Sequence, residues 1–171
     1  MNEIKIRFAS EEDAAMIAAI SRETFHESFA SFNTKADMDK FLSEQFSIEK
    51  LIAQVFEKEN IFFLAYVNNE IAGYVFLKME AYENIHFESG FEISRFYVKN
   101  SFIRKGIGKA LMQAVISFAK GEKQKSIWLG VWKYNQRGVL FYTSFGFKKI
   151  GEQDFLLGED VQRDWVMKLS L

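Results

Sequence analysis

Phe91-Glu-Ile-Ser-Arg-Phe-Tyr-Val98, followed by Lys99-Asn-Ser-Phe-Ile-Arg-Lys-Gly-Ile-Gly-Lys-Ala-Leu111, is the stretch that decides how this chain folds. The first eight residues read as a strand. A short basic loop follows. Gly106-Ile-Gly108 then opens a helix expected to reach Lys120, with Ile107, Leu111, Val115 and Phe118 on one face. Glycines let a ligand approach the backbone closely, and free N–H groups at a helix N-terminus bind anions. Arg104, Lys105 and Lys109 add positive charge at the same point. The pattern is that of an anion site. It is not a Walker A loop, because no Gly-Lys-Ser/Thr stands at the required spacing, and Leu111 occupies the third glycine position of a dinucleotide fingerprint.

Working outward, Ile4–Phe8 alternates like a strand, and Ser10 with Glu11, Glu12 and Asp13 reads as the capped start of a helix carrying Ala14, Ile17, Ala18 and Phe25. A second helix is expected over Asp37–Phe46. A third starts at Ser47 and is expected to bury Leu51, Ile52, Val55 and Phe56. Ile61–Val67 and Ile71–Met79 form a hairpin across Asn68-Asn69-Glu70. Ser126–Trp132 is a strand, and Asn135–Ser144 is a helix closed by Gly146. Phe147–Leu157 and Val161–Leu169 make a last hairpin around Gly158-Glu159-Asp160. The predicted order β-ααα-β-β-β-α-β-α-β-β gives an α/β fold with a mixed, mostly antiparallel seven-stranded sheet in a single domain.

Composition narrows the function. The 171 residues are 49% hydrophobic, enough for a core without crosslinks, and 19 of them are Phe. Cysteine is absent, which excludes disulfides, thiolate metal sites and a cysteine nucleophile. The two histidines, His26 and His86, cannot build a three-histidine zinc site, and no metal site is expected. No Gly-x-Ser-x-Gly elbow is present. The longest apolar run, Ile61–Val67, is far short of the roughly 20 residues of a membrane helix. The N-terminus lacks the pattern of a secretion signal, so a cytoplasmic protein with no membrane partner is expected. Net charge is −1, too balanced for a nucleic-acid binder, yet Lys99–Lys125 carries +6 and the rest of the chain −7. That split places an anionic ligand at the basic stretch and is compatible with a cationic partner elsewhere.

A second segment, Ile127 to Phe147, puts Asn135 at a helix start and Tyr142 seven residues on, hence on the same helix face. Taken with the Gly-x-Gly loop after a strand and the Phe145-Gly-Phe147 ending, the chain resembles the GNAT superfamily of acetyl-CoA-dependent N-acetyltransferases over nearly its whole length. Within it, the chain looks closest to the PaiA-type polyamine acetyltransferases. That closer likeness rests on Glu23-Thr-Phe25 with Phe29, Phe91-Glu-Ile93 leading to Tyr97, Ile127–Trp132, and Phe155–Gly158 ahead of Gln162.

The resemblance implies acetyl-CoA as cofactor, held by backbone amides over Arg104, Lys105, Gly106, Ile107, Gly108 and Lys109, with Ile103 departing from the family's Gln/Arg at the loop's first position. It implies that Phe96, Tyr97 and Val98 bind pantetheine through the backbone where the fourth and fifth strands splay. Asn135 is expected near the pantetheine or thioester. Tyr142 is expected to protonate the departing thiolate, and an amide near Val98 to polarise the carbonyl. A primary amine, with a pKa of ~10, must lose a proton before it attacks, and either Glu92 or a water chain takes it.

The acceptor implied by the resemblance is a small polyamine, spermidine or spermine, met by Glu23, Phe25 and Glu27, with Asp37, Asp39, Phe29 and Phe32 nearby. A peptide or antibiotic amine as acceptor stays open at this point, as does a non-catalytic acyl-CoA-binding regulator. A homodimer through an exposed aromatic hairpin near Phe155 is a further expectation.

Overall fold

A computed structural model describes residues 3–79 and 90–171. The elements follow the expected order: β1 (Ile4–Phe8), α1 (Ala14–Phe29), α2 (Lys35–Glu44), α3 (Ile48–Phe56), β2 (Ile61–Val67), β3 (Glu70–Lys78), β4 (Gly90–Val98), α4 (Ile107–Gly121), β5 (Ser126–Trp132), α5 (Gln136–Ser144), β6 (Lys148–Leu157) and β7 (Asp160–Ser170). Short 3-10 turns, Glu11–Asp13 and Asn100–Phe102, precede α1 and α4. His86 lies outside the described residues.

Local chemistry sets the boundaries. Thr34 caps α2 by accepting from the Asp37 amide, so α2 starts two residues ahead of its expected position. Ser47 caps α3 in the same way through the Lys50 amide. Of the four α3 residues expected inside, Leu51 is buried, Ile52 and Val55 are half-buried, and Phe56 is 52% exposed. Leu51 and Val55 lie one turn apart on the face toward α1, and Phe56 is rotated a further 100° away from it. Asn68 and Asn69 both take positive φ (50° and 66°), as a two-residue hairpin loop demands.

The seven strands form one sheet in the order β1-β2-β3-β4-β5-β7-β6. Every neighbouring pair is antiparallel except β4 and β5. One face packs on α4 and α5 through Leu111, Met112, Val115, Ile127, Leu129 and Met167. The opposite face carries Phe62, Leu64, Tyr74 and Phe76 against Ile17 and Ile20 of α1. A third cluster joins Phe25 to Met38, Phe41 and Leu157, with Phe155 packed on it. The Phe155 ring lies 5.8 Å from that of Phe41 and packs on this cluster rather than standing exposed; Ile150, Leu156 and Val161 are the exposed large apolar residues of this hairpin.

Two irregularities at β4 create the site. Phe76 pairs with Arg95 while Leu77 pairs with Ile93, so Ser94 is an extra residue, a β-bulge. The bulge reverses the alternation: Phe91 and Ile93 face α4, whereas beyond it Phe96 and Val98 do so and Tyr97 packs on the other side. The parallel pairing of β4 with β5 covers only Gly90–Glu92 against Ser126–Trp128. Past that point the two strands diverge, and the backbone edge of β4 that faces β5 is left without a strand partner.

Candidate active site

The divergence opens a cleft of about 470 Å³ that runs through the sheet. One half lies on the α4–α5 side. It is lined by Phe96, Val98, Ile103, Arg104, Gly106–Lys109, Asn135, Arg137, Phe141 and Tyr142. The other half lies under α1, between Phe25, Ser28, Phe29, Tyr97, Trp132, Phe155, Gln162 and Asp164.

The first half fits an anion. Gly106 caps α4 in the left-handed conformation (φ 86°), which a residue with a Cβ adopts only under strain. The first helical hydrogen bond of α4 runs from the Ala110 amide to the Gly106 carbonyl, 3.0 Å, so the amides of Ile107, Gly108 and Lys109 have no carbonyl of their own helix to bind. Arg104 and Lys109 line the cleft beside them, whereas Lys105 is exposed outside the lining, with its ammonium 5.0 Å from the centre of the Phe102 ring; none of the three has an ion-pair partner among the described residues. This donor set suits the pyrophosphate of a coenzyme. The open edge of β4 and the apolar walls of Phe96 and Phe141 suit a narrow chain that carries amides.

Asn135 caps α5, its Oδ1 accepting from the Gly138 amide at 2.9 Å, which leaves its NH2 for the cleft. Tyr142 lies two turns along the helix, 9% exposed, with its ring against Phe96, Phe141 and Phe147. Burial pushes its phenol far above the ordinary tyrosine value, so it stays protonated. Burial pushes Tyr97 up as well.

The residues expected to meet the acceptor separate. Phe25 lines the cleft, stacked on Phe41 at 4.4 Å. Glu23 forms an ion pair with Lys99 at 3.1 Å, and Glu27 accepts from the Asn100 amide at 3.0 Å. Both therefore tie α1 to the start of the β4–α4 loop. Asp37 holds the β6–β7 turn through the Glu159 amide, and Asp39 pairs with Lys35. None of these four carboxylates lines the cleft. Neither does Glu92, which lies just before the lining begins at Ile93 and is register partner to Lys78 and Trp128.

The carboxylate that does line the cleft is Asp164 on β7, and the sequence reading did not assign it a role. It stands beside Trp132 of β5 and Gln153 of β6. Gly130 makes room for it: a Cβ there would come within 2.6 Å of Gln153 Nε2 and 3.3 Å of Asp164 Oδ2. Burial lifts its carboxyl from 3.8 to about 6. The only sequence signal for it was a charge within a run of alternating residues that ends in the apolar Val166 and Met167. Arg95, also part of the lining, is buried with its guanidinium on the Phe46 and Phe76 rings and hydrogen-bonded to Gln54. Among the described residues no cluster of metal-ligating side chains is present, and no helix is long and apolar enough to cross a membrane.

Comparison with known proteins agrees with this geometry. The acetyltransferase (GNAT) family model matches residues 22–147. An uncharacterized N-acetyltransferase encoded in the pepI 3′ region of Lactobacillus delbrueckii subsp. lactis is 35% identical over 100% of this chain and 99% of its own length. The spermidine N(1)-acetyltransferase of Thermoplasma acidophilum is 26% identical, covering 85% of this chain and 88% of that protein. The crystal structure of PaiA N-acetyltransferase from Thermoplasma acidophilum in complex with coenzyme A superposes with a TM-score of 0.80 at 24% identity, over 99% of both chains. The chain belongs to the GNAT family of acetyltransferases, enzymes that draw their acetyl group from acetyl-CoA.

Proposed function

We propose that this protein transfers the acetyl group of acetyl-CoA to a primary amine of a small polyamine, spermidine or spermine, by direct attack within a ternary complex. The observation that carries the reading is the cleft itself. It joins an anion-binding half to a chamber walled by aromatic rings and one carboxylate, across the gap between β4 and β5. The relative named as a spermidine N(1)-acetyltransferase supports the acceptor class. The aromatic lip supports it too: Phe32, 65% exposed, lies edge-on to Trp132 with centroids 5.2 Å apart. Such faces attract ammonium groups. The neighbouring Tyr134 ring already carries Lys133, 4.9 Å from its centroid.

Bound acetyl-CoA supplies an acyl thioester whose carbonyl carbon is electrophilic. The amides of Ile107, Gly108 and Lys109, with Arg104 and Lys105, hold its pyrophosphate. The backbone of Phe96–Val98 and the Asn135 amide orient the arm that bears the thioester. Tyr142, kept protonated by burial, delivers a proton to the sulfur as it leaves. Placing both reactants in one cleft supplies much of the acceleration, and no covalent enzyme intermediate is needed.

Thiol release from acetyl-CoA tests the reading, with purified protein against spermidine, spermine, a lysine peptide and an aminoglycoside. Turnover confined to the polyamines supports it. Turnover confined to another amine keeps the chemistry and discards the acceptor class. Binding of acetyl-CoA with no turnover of any amine points to a regulator.

A further inference from the structure

We infer that Asp164 receives the reacting ammonium of the acceptor and takes the proton its nitrogen must lose, an assignment that rests on reading the cleft as an amine acetyltransferase site. Four observations carry it. Among the described residues that line the cleft, Asp164 alone bears a carboxylate. It is 9% exposed, so the surface it keeps faces the cleft. Its carboxylate has no hydrogen-bond or ion-pair partner among the described residues, in contrast to Glu23, Glu27, Asp37 and Asp39, each of which is engaged elsewhere. It also belongs to the acceptor half: Asp164 is register partner of Trp132, whose ring forms the aromatic lip with Phe32.

A buried carboxylate with no partner is costly unless a ligand supplies the counter-charge. An ammonium does so and is bound in the same act. The titratable and charged groups lining the cleft around Asp164 are few. From β4 come Arg95, engaged with Gln54, Phe46 and Phe76, and the Tyr97 phenol. From α5 come Tyr142 and Arg137, and from the β4–α4 loop and the start of α4, in the anion-binding half, Arg104 and Lys109. The lining residues of α1 and β5 and the register partner on β6 carry no charge: Phe25, Ser28, Phe29, Gly130, Trp132 and Gln153. Desolvation is the cause that moves the Asp164 carboxyl to about 6, which suits a base near neutral pH. The same cause, burial, raises the Tyr142 phenol, which therefore stays protonated. The two groups lie on opposite sides of the split sheet, so the one that can take a proton near neutral pH and the one that holds its proton are set on the two sides of the reacting carbonyl.

The protons balance. The ammonium has three N–H bonds and the amide product one. As the N–C bond forms and the C–S bond breaks, one of the two lost protons ends, in net, on sulfur through Tyr142. The other leaves to solvent through Asp164.

The test compares wild type with Asp164→Asn, which keeps the shape and removes the base. Spermidine is the probe. Wild type inert toward spermidine overturns the polyamine reading alone, and the comparison is then made with the lysine peptide. The expected result for Asp164→Asn is a loss of about 100-fold or more in kcat/KM for the amine. The acidic limb near pH 6 in the wild-type kcat/KM profile disappears. Calorimetric binding of spermidine to the CoA-loaded protein weakens at least about tenfold. Affinity for CoA is unchanged, and Tm at pH 7 is equal or higher. The last expectation follows from linkage: a carboxyl raised from 3.8 to about 6 makes the fold lose stability as pH rises through that window, and Asn removes the loss. Asp164→Glu restores part of the acidic limb. An Asn variant with the wild-type rate and limb overturns the assignment, and so does one whose lost activity tracks a lower Tm and weaker CoA binding.

Discussion

The two halves of the cleft are built by different means. The half proposed for the cofactor is made of backbone geometry and contiguous sequence: a left-handed glycine at a helix start, free amides behind it, and Asn135 and Tyr142 two turns apart on one helix. The half proposed for the acceptor is made of side chains brought from five elements, with Phe25 and Ser28 from α1, Tyr97 from β4, Trp132 from β5, Phe155 from β6 and Asp164 from β7. The first half rests on neighbours in sequence and the second on residues that meet only through sheet register, so each can be perturbed without the other. Substitutions of groups that bind should therefore divide cleanly: those in the first half should move KM for acetyl-CoA, and those in the second KM for the amine, whereas loss of a group that moves a proton should lower kcat.

Tyr142→Phe gives the largest effect. Removing one hydroxyl from a ring packed by Phe96, Phe141 and Phe147 preserves the packing and deletes the proposed proton donor. The expected fall in kcat is about 10²- to 10³-fold, with CoA affinity unchanged in a binding titration. A variant that retains turnover would show that sulfur takes its proton from solvent. Next comes the double variant Arg104→Ala, Lys109→Ala. Both side chains are exposed, so KM for acetyl-CoA should rise about tenfold at low salt and less at high salt, while KM for the amine stays put. A parallel change in the amine constant would show that the halves communicate.

Gly130→Ala probes the other half from the floor of the sheet. Its Cβ would press on the Gln153 amide at 2.6 Å and crowd Asp164 at 3.3 Å. The amide is the end of a flexible side chain and can move, so the fold survives, but the Asp164 carboxylate loses room. The expected outcome is a rise of roughly three- to fivefold in KM for the amine, with the acetyl-CoA constant unchanged.

The same contrast explains what could be read from sequence. Among the described residues, the seven strands, five α-helices and their order follow from hydrophobic period, caps and turns, all of which act over a few residues. The basic Gly-x-Gly loop and the Asn135–Tyr142 pair are local in the same sense. Asp164 is not. It meets Trp132 because β7 inserts between β5 and β6, and it meets open space because residue 130 is glycine. The bulge at Ser94 is equally silent in sequence, since strict alternation would have put Arg95 on the side of Phe91 and Ile93. Acidic residues close to an aromatic run drew attention to Glu23 and Glu27, and only tertiary structure shows what they already hold.

Glu23→Gln is the smallest effect and the sharpest test of where the acceptor half ends. Glu23 is 46% exposed and Lys99 16% exposed, with 3.1 Å between their charged atoms. A pair whose carboxylate is this open to solvent contributes about 0–1 kcal/mol, because water competes for the Glu23 oxygens and two long side chains must be held still. The substitution keeps a hydrogen-bonding group in place, and the neighbouring Glu27 contact to the Asn100 amide still ties α1 to the loop. Tm should change by no more than a degree or two, and KM for spermidine by less than twofold. Suppose instead that KM for spermidine rises about tenfold while acetyl-CoA is unaffected. Glu23 would then be giving up Lys99 to meet a second ammonium of the substrate, and the acceptor half would extend beyond the cleft along the outer face of α1.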